Sequence, residues 1–382
     1  MLMYRALFST LLLFAMPAMG QQAETVSFKG FNKFKSGVGG VDFFASSRRI
    51  ATQFETPVAE AYKRLATILG NDIPPGAIFI CSSLQQKDSV YEPRVLRAGY
   101  RWILIALTSD ARVDENIQRM KAQMGGEISA EVMARLKNRA PEVIAAQDAA
   151  AARTAADQMA YAVLQALFPR EGMQYRSSRV DDVGRSTLAD WLDVAIATYA
   201  TGGMGNVAYL QQHMDETFPL EDILTSSRPF VAVTAQGAAG GAAGGGTRSG
   251  GGQATGGAAP AAAATRSSST QGGAQQAAGA AGAMRGGGQQ GAASRVLPKD
   301  QQDRMLFDTQ GFTFFTYMIN QAGIEKVKEL VRFNSEGKES KEFIQRADVL
   351  GTDFDKIEND WAAYVKTLKA RGTQDSRTRV NP

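Results

Sequence analysis

Two segments in the middle of the chain repeat apolar residues at the period of an α-helix. The first, residues 154–169, carries Ala156, Met159, Ala160, Val163, Leu164 and Leu167 at this spacing. The second, residues 186–199, carries Leu188, Trp191, Leu192, Ala195, Ile196 and Tyr199. Each set forms one apolar stripe that has to pack against another element. The pattern therefore predicts two amphipathic core helices.

The preceding residues predict a mixture of strands and helices. Residues 57–69 have one apolar face and stop at Gly70, which predicts a helix. Further patterns predict buried strands at 78–81 and 102–107, and long helices over 114–140 and 142–167 separated by Pro141. Strands followed by a run of helices are typical of an α+β domain, and we expect that fold class.

The two central helices also carry recognisable local sequences. The first ends in Ala-Val-Leu-Gln-Ala-Leu-Phe-Pro at 162–169, and the second reads Trp-Leu-Asp-Val-Ala-Ile-Ala-Thr-Tyr at 191–199. Both resemble the metal-binding helices of gluzincin-type peptidases, the thermolysin-like superfamily, in its secreted bacterial form. There the first helix contains HExxH and often ends in Leu-Phe-Pro, and the second reads like Trp-Leu-x-Glu-Gly-x-Ala-x-Tyr.

This resemblance implies a peptidase site in which every essential group has been replaced. Aligned on these residues, Asp157 and Tyr161 stand where the family has its two histidine ligands. Gln158 stands in place of the catalytic glutamate, and Val194 in place of the glutamate that is the third ligand. In an active enzyme the histidines at i and i+4 hold zinc, and the glutamate between them activates the bound water. The resemblance therefore implies no catalytic residue, no metal and no cofactor.

Two later segments extend the resemblance. Residues 307–319 form an aromatic-rich apolar run, and residues 354–368 place Trp361 and Tyr364 on one helical face. Related peptidases commonly finish with an apolar helix and then a helix of the Trp-x-x-Tyr kind. The implied architecture is a zincin-like domain with a small N-terminal mixed sheet and a mostly helical C-terminal part.

The residue count limits catalytic chemistry whatever the family. The chain has one histidine, His213, and one cysteine, Cys81. No zinc site made of two or three histidines, or of several cysteines and histidines, can be assembled within one chain. His213 lies in a polar stretch and is expected at the surface, whereas Cys81 ends an apolar run and is expected to be a buried thiol.

Other candidate catalytic groups have simpler structural interpretations. Ser335 and Lys338 match a serine–lysine spacing, but the surrounding residues predict a loop. The adjacent pair Asp181 and Asp182 could suggest glycosidase chemistry. We expect these two aspartates to be solvated, together with the helical carboxylates Asp157, Asp190 and Asp193.

The first twenty residues predict export. A basic residue, Arg5, precedes an apolar stretch, and Ala18-Met19-Gly20 offers small residues for cleavage before Gln21. We therefore expect a periplasmic or secreted protein without an integral membrane span after cleavage. The formal net charge of +4 is too small to imply binding to nucleic acid or to an anionic membrane.

Residues 236–295 differ from the rest of the chain. They contain Gly, Ala, Gln, Ser, Thr and Pro with a few arginines, and no aromatic or acidic residue. Such a segment cannot bury enough apolar surface to offset its ordering entropy, so we expect a disordered insert. The predicted organisation is a signal peptide at 1–20, a strand and loop segment at 21–54, one zincin-like domain formed by 55–235 and 296–370, and a flexible tail at 371–382.

Three hypotheses about function follow. The first is an exported, non-catalytic peptidase-like protein whose cleft binds a peptide, a glycan or a protein partner. The second is an unrelated secreted α+β enzyme with an active site that the sequence does not reveal. The third is a structural envelope component that uses the insert as a spacer.

Overall fold

The computed structural model describes residues 27–70, 73–124, 126–171, 186–229 and 298–368. Within these ranges the protein is an α+β domain, which confirms the predicted fold class, with a small mixed sheet near the N-terminus and helices after it. The predicted signal peptide, the Gly/Ala/Gln-rich insert and the C-terminal tail lie outside the described residues, as do Asp181 and Asp182.

The sheet contains four strands in the order β1-β2-β3-β4. Their bounds are β1 Asn32–Lys35, β2 Val41–Ala45, β3 Gly76–Cys81 and β4 Trp102–Leu107. Strand β1 is antiparallel to β2, whereas β2, β3 and β4 are parallel to one another. Strands β3 and β4 are buried along almost their whole length, as their continuous apolar sequences require.

Helices cover both faces of this sheet and continue the chain. Their bounds are α1 Arg48–Leu69, α2 Leu84–Ser89, α3 Glu92–Arg97, α4 Ser109–Met124, α5 Ala130–Lys137, α6 Pro141–Leu167, α7 Asp190–Ala200, α8 Val207–Gln212, α9 Leu220–Thr225, α10 Lys299–Ala322, α11 Ile324–Ser335, α12 Ser340–Ile344 and α13 Phe354–Thr367. None of the helices in the described ranges is both long and apolar enough to cross a bilayer.

Two apolar clusters lie on opposite faces of the sheet. The larger cluster joins Phe43 and Ile78 to α1 and α6, and continues into the C-terminal helices through Trp191 and Trp361. The smaller one contains Phe44 and Phe79 and is covered by the short helix α3 and by the phenylalanines that precede β1. Adjacent residues of β2 therefore serve different clusters, because successive strand side chains point to opposite faces.

Two predicted helix boundaries were wrong. Helix α1 begins at Arg48 and not at 57, because Ser47 caps it by accepting a hydrogen bond from the backbone nitrogen of Ile50, and Pro57 is accommodated inside it. The helix predicted over 114–140 is two helices, α4 and α5, and the second begins with a Ser129 cap. In both cases a serine cap decides a boundary that apolar periodicity leaves open.

Helix α7 packs against α6, α1 and the long helix α10. Gly311 of α10 lies against Trp191 of α7, where an added Cβ atom would be 3.4 Å from the Trp191 backbone oxygen. Helices α7 and α10 therefore lie in close contact at this position. Helices α6 and α7, which carry the peptidase-like pattern, also pack side by side in the core.

Candidate functional site

The four positions singled out by the peptidase resemblance lie on α6 and α7. Asp157, Gln158 and Tyr161 are half-buried on α6, with Asp157 and Tyr161 one turn apart. Val194 is buried on α7, with 3% of its surface exposed. Burial is the largest cause of the raised pKa of Tyr161, and Val194's neighbour Asp193 adds a small contribution to it. On α7 it is thus Asp193 that interacts electrostatically with Tyr161.

Asp193 is a buried carboxylate, which corrects the expectation that it is solvated. Only 2% of its surface is exposed. Its Oδ1 accepts a hydrogen bond of 2.7 Å from the Ser186 hydroxyl, whose oxygen also accepts one from the Leu188 backbone nitrogen. The Ser186 side chain therefore links the segment that precedes α7 to Asp193 in the first turn of that helix. A buried charge of this kind needs hydrogen-bond donors, and Ser186 is one of them.

The cation of this site is Arg228, which sequence analysis did not single out. Its Nε donates a hydrogen bond of 2.6 Å to Asp308 Oδ1, and its Nη2 pairs with the other oxygen of the same carboxylate. The Arg228 backbone nitrogen also donates to Asp190 Oδ2 at 2.9 Å. A two-bond guanidinium–carboxylate pair is among the stronger polar contacts in proteins. Arg228 is thereby fixed against α7 and α10 at once.

The pKa shifts describe the same group of charges. Burial would lower the pKa of Arg228, but Asp308 outweighs it, with smaller contributions from Tyr161 and Asp190, and the pKa is raised. Burial raises the pKa of Tyr161 well above its usual value, and Asp157 raises it further, whereas Arg228 opposes the rise. Tyr161 is therefore a protonated phenol, and Arg228 a permanent cation, at neutral pH.

We refer to Asp157, Tyr161, Asp190, Asp193, Arg228 and Asp308 as the Arg228 cluster. Across the described ranges, no group of three or more His, Cys, Asp or Glu side chains is arranged to hold a metal ion. The fixed positive charge of the cluster is the guanidinium. A charged residue such as Asp308, which follows Leu306 and Phe307 in the apolar part of α10, was the available sequence signal, because a partly buried carboxylate requires a partner.

The other candidates have ordinary structural environments. Cys81 is a buried free thiol, and burial raises its pKa to about 12. His213 is half-buried, with its Nδ1 3.0 Å from Glu216 Oε1 and its ring beside Tyr209. Ser335 is the last residue of α11 and its hydroxyl donates to the Arg332 carbonyl, whereas Lys338 pairs with Glu336. These contacts do not form a catalytic arrangement of serine, lysine and histidine.

No family model, no curated protein and no solved structure matches this chain.

Proposed function

We propose that the protein is an exported, non-catalytic peptidase-like protein that acts by binding. The observation that carries the proposal is the Arg228 cluster. At the positions where the resemblance places zinc ligands, α6 and α7 carry Asp157, Tyr161 and Val194. The adjacent positive charge is a guanidinium fixed by Asp308.

The chemistry of the cluster supports a loss of peptidase activity. A phenol with a raised pKa is a poor zinc ligand at neutral pH, and valine supplies no ligand atom. Gln158 cannot accept a proton from water, so it cannot serve as the general base. We infer that the former cleft binds a peptide, a glycan or a protein partner in the periplasm or outside the cell.

The test is to rebuild the metal site. The combined change Asp157→His, Gln158→Glu, Tyr161→His and Val194→Glu should restore the family's ligand set on helices whose apolar stripes are intact. A second variant adds Arg228→Gln and Asp308→Asn, which removes the guanidinium together with its carboxylate partner and leaves the net charge of the cluster unchanged. We expect both variants to bind zinc, and the wild type to bind none stoichiometrically.

Metal analysis after dialysis and zinc titration of the folded proteins are the measurements. The matched control carries Arg228→Gln and Asp308→Asn in the wild-type background and should remain free of zinc. Stoichiometric zinc or peptide cleavage in the wild type would contradict the loss of function. Folded variants that bind no zinc would refute the alignment of α6 and α7 with the peptidase helices.

A further inference from the structure

One face of the sheet collects basic side chains from separate parts of the chain. In the antiparallel register of β1 and β2, Lys33 lies opposite Phe44 and Lys35 opposite Asp42. Residues directly opposite each other share a face, and Phe44 belongs to the cluster beneath α3. The two lysines therefore emerge on the α3 side. The Lys33 ammonium is 5.7 Å from the centre of the Tyr100 ring, which agrees with this placement.

Helix α3 and its flanks add arginines to the same side. The Arg94 guanidinium lies 5.5 Å from the centre of the Phe28 ring, which packs beneath it. Arg97 and Arg101 are exposed, and so is the lysine that follows Phe28. We define the basic face as Lys29, Lys33, Lys35, Arg94, Arg97 and Arg101.

The basic face is little compensated by acidic groups. Residues 27–45 and 91–101 contain the six basic residues and two acidic ones, Asp42 and Glu92, which leaves 6 − 2 = +4. Asp42 pairs with Lys33 at 2.9 Å and accepts a hydrogen bond from the Tyr100 hydroxyl at 2.7 Å, so it offsets the charge of Lys33. The other basic residues leave a local excess of positive charge on this side of the sheet.

Apolar side chains project from the same helix. Tyr91, which caps α3, is 60% exposed, and Leu96 is 40% exposed. Val95 between the arginines points into the core and fixes the outward direction of its neighbours. The exposed tyrosine and leucine form a small apolar patch that is surrounded by the arginines of α3. Tyrosine is favoured at membrane–water interfaces because its ring is apolar and its hydroxyl is hydrated.

We infer that the basic face docks the protein on an anionic bilayer surface. Phospholipid headgroups complement the net positive charge of the basic face, and the shallow interfacial region accommodates Tyr91 and Leu96. An acidic polymer would satisfy the charges equally well but would gain nothing from the exposed Leu96, so both features together favour the bilayer. This inference uses only the N-terminal layer and is independent of the peptidase-like proposal.

The experiment measures binding to lipid vesicles by co-sedimentation. Vesicles of phosphatidylglycerol and phosphatidylcholine in equal parts are compared with vesicles of phosphatidylcholine alone, using chains that begin at Gln21 so that the apolar leader is absent. Each basic residue near an anionic surface contributes about fivefold in partitioning. The triple variant Lys35→Gln, Arg97→Gln and Arg101→Gln should therefore bind the anionic vesicles about 100-fold more weakly.

A matched control removes three exposed basic residues elsewhere, with Arg49→Gln and Lys63→Gln on α1 and Lys366→Gln on α13. Its binding should stay within about threefold of the wild type, since α1 packs on the opposite face of the sheet and Lys366 lies on the C-terminal helix α13. The pair Tyr91→Ser and Leu96→Ser should weaken binding without changing its salt dependence. Far-ultraviolet circular dichroism verifies that each variant is folded.

Four outcomes would overturn the inference. The first is that the wild type does not bind anionic vesicles. The second is equal loss of binding in the triple variant and its control. The third is binding to soluble polyphosphate but not to vesicles, which would identify an acidic polymer as the partner. The fourth is release from vesicles by millimolar inorganic phosphate but not by chloride of equal ionic strength, which would identify a site for free phosphate.

Discussion

The ion pair of Arg228 and Asp308 should stabilise the fold much more than an ordinary surface pair. Their side chains are 14% and 26% exposed, so the pair is largely shielded from water. Removing one partner of a fully buried pair costs about 3–5 kcal/mol, whereas an exposed pair contributes about 0–1 kcal/mol. The observed exposures place this pair between the two cases and nearer to the first. We expect Arg228→Met and Asp308→Asn each to lower the free energy of unfolding by about 2–3 kcal/mol.

The double variant tests whether Arg228 and Asp308 contribute to the free energy of unfolding through their mutual interaction or independently. Once Arg228 is gone, Asp308→Asn no longer removes a partner, and it relieves an uncompensated charge instead. The two changes together should therefore cost less than their sum, with a coupling energy on the order of 1.5–2 kcal/mol. Urea denaturation of the four proteins, followed by tryptophan fluorescence and circular dichroism, measures all terms of the cycle.

The same cycle on Lys338 and Glu336 provides the matched control. These side chains pair at 2.6 Å but are 49% and 59% exposed. Their coupling should stay below about 0.5 kcal/mol because water and salt screen the charges. A coupling for Arg228 and Asp308 as small as this would refute the idea that the guanidinium is a structural cation of the site.

Three further predictions concern the core and the insert. The change Gly76→Ala should destabilise the protein by about 3 kcal/mol in urea denaturation, because a Cβ atom there would overlap the buried Trp102 indole. The control Gly39→Ala, with no atom within 4 Å of the added carbon, should cost less than about 1 kcal/mol. The Cys81 thiol should be alkylated only after unfolding. Raising its pKa from 9.0 to about 12 lowers the thiolate fraction about 1,000-fold near neutral pH. Rapid alkylation of the native protein, detected by mass spectrometry, would contradict the burial of this thiol. Replacing residues 236–295 by a linker of about ten Gly and Ser residues should leave the melting temperature within a few degrees, because loop-closure entropy changes only logarithmically with length. A large fall in the melting temperature, measured by calorimetry, would mean that the insert packs on the domain.

Local sequence patterns predicted part of the core, including strands β3 and β4 and the two central helices. The strand at 102–107 is β4, and the two central apolar stripes belong to α6 and α7. These patterns succeed because a buried face imposes its own period on the sequence, 2 for a strand and about 3.6 for a helix. Boundaries such as the start of α1 at Arg48 depend on single caps and were therefore predicted less well.

The candidate site could be predicted only as positions, and not as interactions. Sequence reasoning identified Asp157 and Tyr161, but it missed Arg228 and Asp308, which lie 80 residues apart on either side of the insert. It also expected Asp193 to be solvated, although α7 buries it. The pairing of distant charges is set by how α6, α7 and α10 pack, and this information has no local period.

By itself the sequence determined the apolar periods of the main strands and helices and the residue counts that limit metal chemistry. Both can be obtained without the tertiary structure, because a period is a local property of the chain and a residue count is a global one. A single histidine and a single cysteine limit metal chemistry regardless of the fold. Only the tertiary structure decided that Arg228 joins Asp308 and Tyr161, and that the lysines of β1 share a face with the arginines of α3. Electrostatic interactions depend on distance in space, and strand register and helix packing fix that distance between residues far apart in the chain.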